Sequence, residues 1–188
     1  MARPKQFDED LAIDAAMRAF WTAGYEATST QDLCEATGLG RSSVYNTFKS
    51  KRDLFEKALR RYMDDKNAPF LDLLGSGLPL REKVRELLWG VVESDERDPL
   101  GCLVVNSMVE LAPRDEEVAA MLRRDHDLRF EALRTALETG RRLGETDKDP
   151  AELAHFLIAV IGGMRVAVRG GAGRSVLESI ARNALDAL

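Results

Sequence analysis

Six prolines, at positions 4, 69, 79, 99, 113 and 150, divide the chain into segments whose apolar residues recur every three or four positions. Proline is tolerated in a helix's first turn and breaks its interior, so joints are expected at Pro69, Pro79, Pro99, Pro113 and Pro150. Leu11, Ala15 and Ala19, interleaved with Ala12, Ala16 and Phe20, carry the period in the first helix. Leu54, Ala58 and Tyr62 repeat it, as do Val84, Leu87, Leu88 and Val91. No alternating apolar and polar run stands between hairpin turns. The chain is expected to be all-α.

The segment after Pro113 starts with Asp115, Glu116 and Glu117 and ends with Arg141 and Arg142 before Gly144. Acids at the start of a helix and bases at its end complement the dipole, by ~0.3–1 kcal/mol each. In the last two helices, about 150–169 and 174–188, Leu153, Phe156, Leu157, Val160, Ile161, Met164 and Val168 make a broad apolar surface. Gly162 and Gly163 there allow close backbone approach. A terminal pair that apolar in so short a chain is expected to be buried in part against a second subunit. The uncharged run, Leu153–Met164, falls short of the ~20 residues that cross a bilayer, and Met1–Asp10 has no apolar run of a secretory signal. Cys34 and Cys102, two cysteines in all, cannot staple a secreted scaffold. These features point to the cytoplasm and away from membranes.

The net charge of −5 hides an asymmetry. Residues 1–64 are neutral, yet Arg41–Arg61 holds seven basic residues against Asp53 and Glu56, a local +5. A short basic segment on an acidic chain is the footprint of a localised polyanion contact. A solvated helix face gives the same run, so charge does not decide between them.

Residues 28–48, TSTQDLCEATGLGRSSVYNTF, read as two short helices and a tight turn. Ser29 is a good N-cap with Asp32 three residues on, a capping-box spacing. The first helix should run from about Thr30 to Thr37, with Gly38 in the left-handed conformation and Leu39 tucked behind it. The second should start near Arg41. With Val44 and Phe48 turned into a core beside Leu33 and Leu39, Ser42 and Asn46 lie about 160° and 200° from Val44 and face outward. Arg41 and Tyr45 flank them on one side, Ser43 and Thr47 on the other. This small, hydrogen-bonding face with one arginine suits the major groove, and the arrangement is a helix-turn-helix.

These residues resemble the tetracycline-repressor (TetR) family of bacterial regulators. The resemblance runs from Phe7 to about Tyr62, through Phe20, Gly24-Tyr25, Thr28-Ser29, Gly38-Leu39, Tyr45, Phe48, Ser50-Lys51 and Leu54. It implies that Ser29, Tyr45 and Lys51 hold phosphates, while Arg41, Ser42, Ser43 and Asn46 meet base edges or nearby phosphates. Gly40 departs from the family's usual Ser or Thr cap, so the recognition helix should start weakly capped. Asn46-Thr47 also departs from a usually bulkier pair, which leaves the operator sequence open.

The resemblance further implies a DNA-binding domain over 5–65 and, over 66–188, a helical domain that binds ligand and dimerises through its last two helices. The function implied is a repressor that holds a palindromic double-stranded DNA operator as a homodimer. An unknown small-molecule effector, apolar or electrophilic, would release it, with Asp53 and Leu54 at the start of the linking helix carrying the swing. Trp89, Cys102, Asn106, His126 and Phe130 are the candidate effector contacts; Met108, Met121, Phe156 and Met164 are further apolar candidates. Cys102 is expected in the first turn of a helix after Pro99, where a dipole favours a reactive thiol. Packing between helices is the commoner fate of such a cysteine, and core packing is likewise expected of Cys34. His126 and His155, the two histidines, show no metal-ligand spacing with the cysteines, so neither metal nor cofactor is expected. No phosphate-cradling glycine loop, nucleophile elbow or His-Glu metal helix argues for an enzyme. The rival reading is a helical protein-interaction module without DNA.

Overall fold

The computed structural model describes residues 9–93 and 101–188; Pro4, Phe7 and Pro99 lie outside them. Among the described residues every regular element is helical. They are α1 (Glu9–Ala23), α2 (Thr30–Thr37), α3 (Arg41–Thr47), α4 (Lys51–Gly75), α5 (Leu80–Val92), α6 (Leu103–Glu110), α7 (Glu116–Arg142), α8 (Pro150–Arg169) and α9 (Arg174–Leu185). Two compact units result, Met1–Asp64 and Asp65–Leu188.

In the first unit α1 buries Ala12, Ile13, Ala16, Phe20 and Trp21. Only one of the two interleaved rows is therefore core: Leu11 is 67 % exposed, and Ala15 and Ala19 are half-buried. Ile13 and Trp21 widen the stripe on the side away from Leu11, and that sets which face turns inward. Phe55 of α4 meets Phe20 edge-on at 5.2 Å and Tyr25 at 4.9 Å, and Trp21 meets Tyr62 at 4.9 Å. Such pairs add about 0.5–1.5 kcal/mol each beyond their buried area. At the rim Lys57 pairs with Glu9, and Arg61 with Asp10 and Asp14. These pairs are largely in water and orient α1 on α4 more than they stabilise it.

Pro69 does not end its helix; α4 continues to Gly75. An interior proline forfeits one hydrogen bond and crowds the carbonyl four residues back, costing about 3 kcal/mol. Here Pro69 and Asp65, whose carbonyl loses its partner, are both exposed, so water can serve that carbonyl. Burial of Phe70 and Leu74 just beyond holds the last turn in place. The other described prolines mark joints as expected. Pro79 is the N-cap of α5, Pro113 precedes the Asp115 cap of α7, and Pro150 opens α8.

The second unit closes around Leu80, Val84, Leu88, Leu133, Leu137, Leu157 and Met164, with Leu177, Ala181 and Leu185 of α9 beneath α5. The α5 N-terminus is satisfied from a distance, the Leu80 N–H donating to Glu145 Oε2 at 2.6 Å, and the Arg81 guanidinium donates to the Leu185 carbonyl at the end of α9 at 3.0 Å. Gly140 allows this approach, because a Cβ there would stand 2.5 Å from Leu80 Cδ2 and 3.1 Å from its Cβ. Gly140→Ala is therefore expected to lower stability by about 1–3 kcal/mol, seen as an earlier midpoint in urea.

Over its whole length α8 is long and apolar enough, on those grounds alone, to cross a bilayer; its most apolar 18 residues have a mean hydropathy of 1.6. The uncharged run alone did not anticipate this. One face, Leu153, Ala154, Leu157 and Met164, packs into the unit's core. The opposite face leaves Phe156 42 % and Val166 55 % exposed, with Ala159 and Gly163 between them.

Candidate nucleic-acid interface

The ends of α2 are set by local chemistry. Ser29 accepts the Asp32 N–H on Oγ at 3.1 Å, and its own N–H donates to Asp32 Oδ2 at 2.7 Å, a reciprocal capping box. The Ser29 hydrogen bonds, backbone first, hold the Asp32 carboxyl below its usual pKa against the opposing effect of desolvation, and the Lys51 charge adds the least. A depressed carboxylate stabilises the fold above its ordinary range and loses that contribution as pH falls through the lowered value. The cap is thus intact at neutral pH. Gly38 ends the helix with φ of 67°, a left-handed conformation that glycine adopts without strain. α3 starts on Gly40, which supplies no side-chain cap.

Val44, Phe48 and Leu33 are buried as the spacing required. Arg41, Ser42, Tyr45 and Asn46 are exposed, while Ser43 and Thr47 are half-buried. The ridge is therefore polar and continuous along α3. Tyr45 is held in two ways that spacing did not reveal. Its hydroxyl lies 3.1 Å from Thr30 Oγ1 of α2, and the Arg41 guanidinium stands 5.8 Å from its ring centroid. Lys51 is similarly placed: its ammonium sits 4.4 Å above the Tyr25 ring and donates to the Glu26 carbonyl at 3.4 Å. Tyr45 and Lys51 are thus fixed by neighbours on other segments, and Ser29 by Asp32 in the helix it caps. Thr30, Tyr25 and Glu26 are the residues sequence reasoning missed. Tyr45 is 15 positions from Thr30, and Lys51 is 25 from Glu26, beyond the reach of helical periodicity. Two rigid short helices, exposed hydrogen-bonding groups and adjacent cations make this face able to dock on a phosphate backbone and reach base edges.

The effector candidates scatter across the second unit. His126 and Phe130 of α7 stack at 6.4 Å, and Phe130 stacks on His155 of α8 at 4.4 Å. Trp89 lies on α5 under the Arg85 guanidinium, 5.4 Å away. Cys102 is the N-cap of α6 instead of a first-turn residue, with Asn106 one turn further on; both are half-buried. Met121 and Met164 are buried, whereas Met108 and Phe156 are exposed and so do not line an enclosed core. Cys34 is half-buried beside Leu33. A cleft of about 480 Å3 between the end of α7 and the start of α8 is lined by Arg134, Glu138, Arg141, Arg142 and Asp149, and by none of the five effector candidates.

Comparison with known proteins bears on this face. Residues 12–58 match the family described as bacterial regulatory proteins, tetR family, and residues 79–188 match that described as BetI-type transcriptional repressor, C-terminal. The HTH-type transcriptional repressor ComR of Escherichia coli is 34 % identical, over 97 % of this chain and 90 % of its own. An HTH-type transcriptional regulator of Bacillus subtilis, YezE, is 35 % identical over 84 % of each chain. The TetR family regulator CifR, solved as a cysteine mutant complexed with 26-bp double-strand operator DNA, superposes with a TM-score of 0.88 at 33 % identity, over 99 % of both chains. These relatives are regulators and not enzymes, and they favour DNA binding over a protein-interaction module.

Proposed function

This chain belongs to the tetR family of bacterial regulatory proteins and is a DNA-binding transcriptional regulator, and from that premise we propose that it is a repressor released from its operator by a small molecule. Residues 5–65 act as the DNA-binding domain and 66–188 as the ligand-binding and dimerisation domain. Two copies join through α8 and α9 and lay their α3 helices in successive major grooves, about 34–36 Å apart on a palindromic site. Ser29, Tyr45 and Lys51 hold phosphates; Arg41, Ser42, Ser43 and Asn46 meet base edges or neighbouring phosphates. The observation that carries this reading is the α3 ridge, polar outward at Ser42 and Asn46 and anchored inward by Val44 and Phe48. The effector is small and apolar or electrophilic, and by linkage it weakens DNA binding by the factor by which DNA weakens its own binding. Trp89, Cys102, Asn106, His126 and Phe130 are its candidate contacts.

A gel shift across a salt series tests the reading. Phosphate contacts make log affinity fall linearly with log salt, by about 0.9 per contact. Lys51→Met, which keeps most of the stem and removes the charge, is expected to weaken binding to all sequences alike and to lower the slope by about 0.9 per subunit. An unchanged slope removes Lys51 from the interface. Salt-independent binding by the unaltered chain removes the whole reading.

A further inference from the structure

The second unit buries a carboxylate and an amide against each other. Asp125 of α7 is 7 % exposed and Asn67 of α4 is 9 % exposed. Asn67 Nδ2 donates to Asp125 Oδ1 at 2.7 Å, and the Arg129 Nε stands 3.5 Å from Asp125 Oδ2. The Arg129 guanidinium in turn lies 4.9 Å from the Phe70 ring centroid. This arrangement fixes the amide, because turning it over would set oxygen against carboxylate. Asn67 Oδ1 is then an acceptor buried from water and without a hydrogen-bond partner. A buried acceptor left unpaired is destabilising, and an apolar pair of the same shape would hold α4 to α7 at least as well. Around it Phe70, one turn on from Asn67, and Met121, one turn before Asp125, are buried.

We infer that Asn67, with Asp125 behind it, recognises a neutral hydrogen-bond donor on the effector, a hydroxyl or an amide N–H, an inference that rests on the reading of this unit as the effector-binding domain. The surrounding charges select the class. An anion would meet Asn67 Oδ1 and the Asp125 carboxylate, both electron-rich. A cation would enter beside Arg129, which already balances Asp125. A neutral donor satisfies Asn67 Oδ1 and disturbs neither charge, and the flanking Phe70 and Met121 suit an apolar or aromatic body.

Benzyl alcohol, benzylamine and benzoate share a ring and differ in the head group, so thermal denaturation of the full chain with each tests the assignment. A ligand of the native state raises the melting temperature by mass action. Benzyl alcohol is expected to raise it most, and Asn67→Leu, which keeps the branched outline and removes the acceptor, to weaken that response at least tenfold in probe concentration. The ranking in the unaltered chain decides the matter should Asn67→Leu fail to fold. A larger response to benzoate or benzylamine, or one unchanged in Asn67→Leu, overturns the head-group assignment while leaving the effector-binding reading in place. Silence with all three overturns the head-group assignment and leaves the effector-binding reading in place. Operator binding by the unaltered chain, measured without probe, reports separately on the DNA-binding face.

Discussion

Phe48→Ala is expected to cost the first unit about 3–5 kcal/mol and to abolish operator binding at temperatures where the unaltered chain binds. The ring is fully buried with the Lys57 ammonium 5.2 Å above its face, and the Phe48 backbone N–H closes α3 by donating to the Val44 carbonyl at 2.8 Å. Truncation leaves a cavity that the adjoining helices fill only in part. The loss is a large share of the roughly 5–15 kcal/mol that holds a domain folded. Urea denaturation followed by circular dichroism, with a gel shift alongside, measures both effects. A loss under about 1 kcal/mol would show that α3 is not seated by this residue.

The second large effect concerns assembly. Replacing Phe156 and Val166 together by glutamate is expected to give monomers in sedimentation and to reduce operator affinity by about 10²–10⁴-fold, the gain that linking two binding units supplies. Both side chains lie on the α8 face turned away from the core, with Ala159 and Gly163 between them. In a two-fold interface each glutamate would sit near its own copy or an apolar surface, an uncompensated charge in either case. The far side of α8, with Leu157 and Met164, is untouched, so each chain should still fold. Dimers that persist in the double variant would place the interface elsewhere.

Much of the DNA-facing unit could be read from the chain because its determinants act within one helical turn. Ser29 and Asp32 are three residues apart, and the box they form needs no other segment. Gly38 ends α2 by its own conformational freedom, and the four-residue step from Val44 to Phe48 fixes which side of α3 faces out. Features that depend on a neighbouring helix were less legible. Leu11 and Ala12 begin equally periodic rows, and burial of Ile13 and Trp21 chose between them. Pro69 obeys a local rule that burial of Phe70 and Leu74 overrides. In the second unit the polar pair of Asn67 and Asp125, 58 positions apart, has no short-range signature at all. Cys102 was chosen for its place after Pro99 and the other effector candidates for residue type, and neither says which side chains converge.

The weak start of α3 has a consequence of its own. Seven residues with no side-chain cap would scarcely hold a helix in isolation, since nucleation is unfavourable and few turns follow it. Its shape is borrowed from Val44 and Phe48, which grip the body of the domain, so Ser42, Ser43 and Asn46 contribute little to keeping it wound. Those three positions can therefore be exchanged without loosening the fold. If those three positions read the operator as proposed, a lineage, or an engineer, can retune which promoter is silenced by altering them and leaving their foundation untouched.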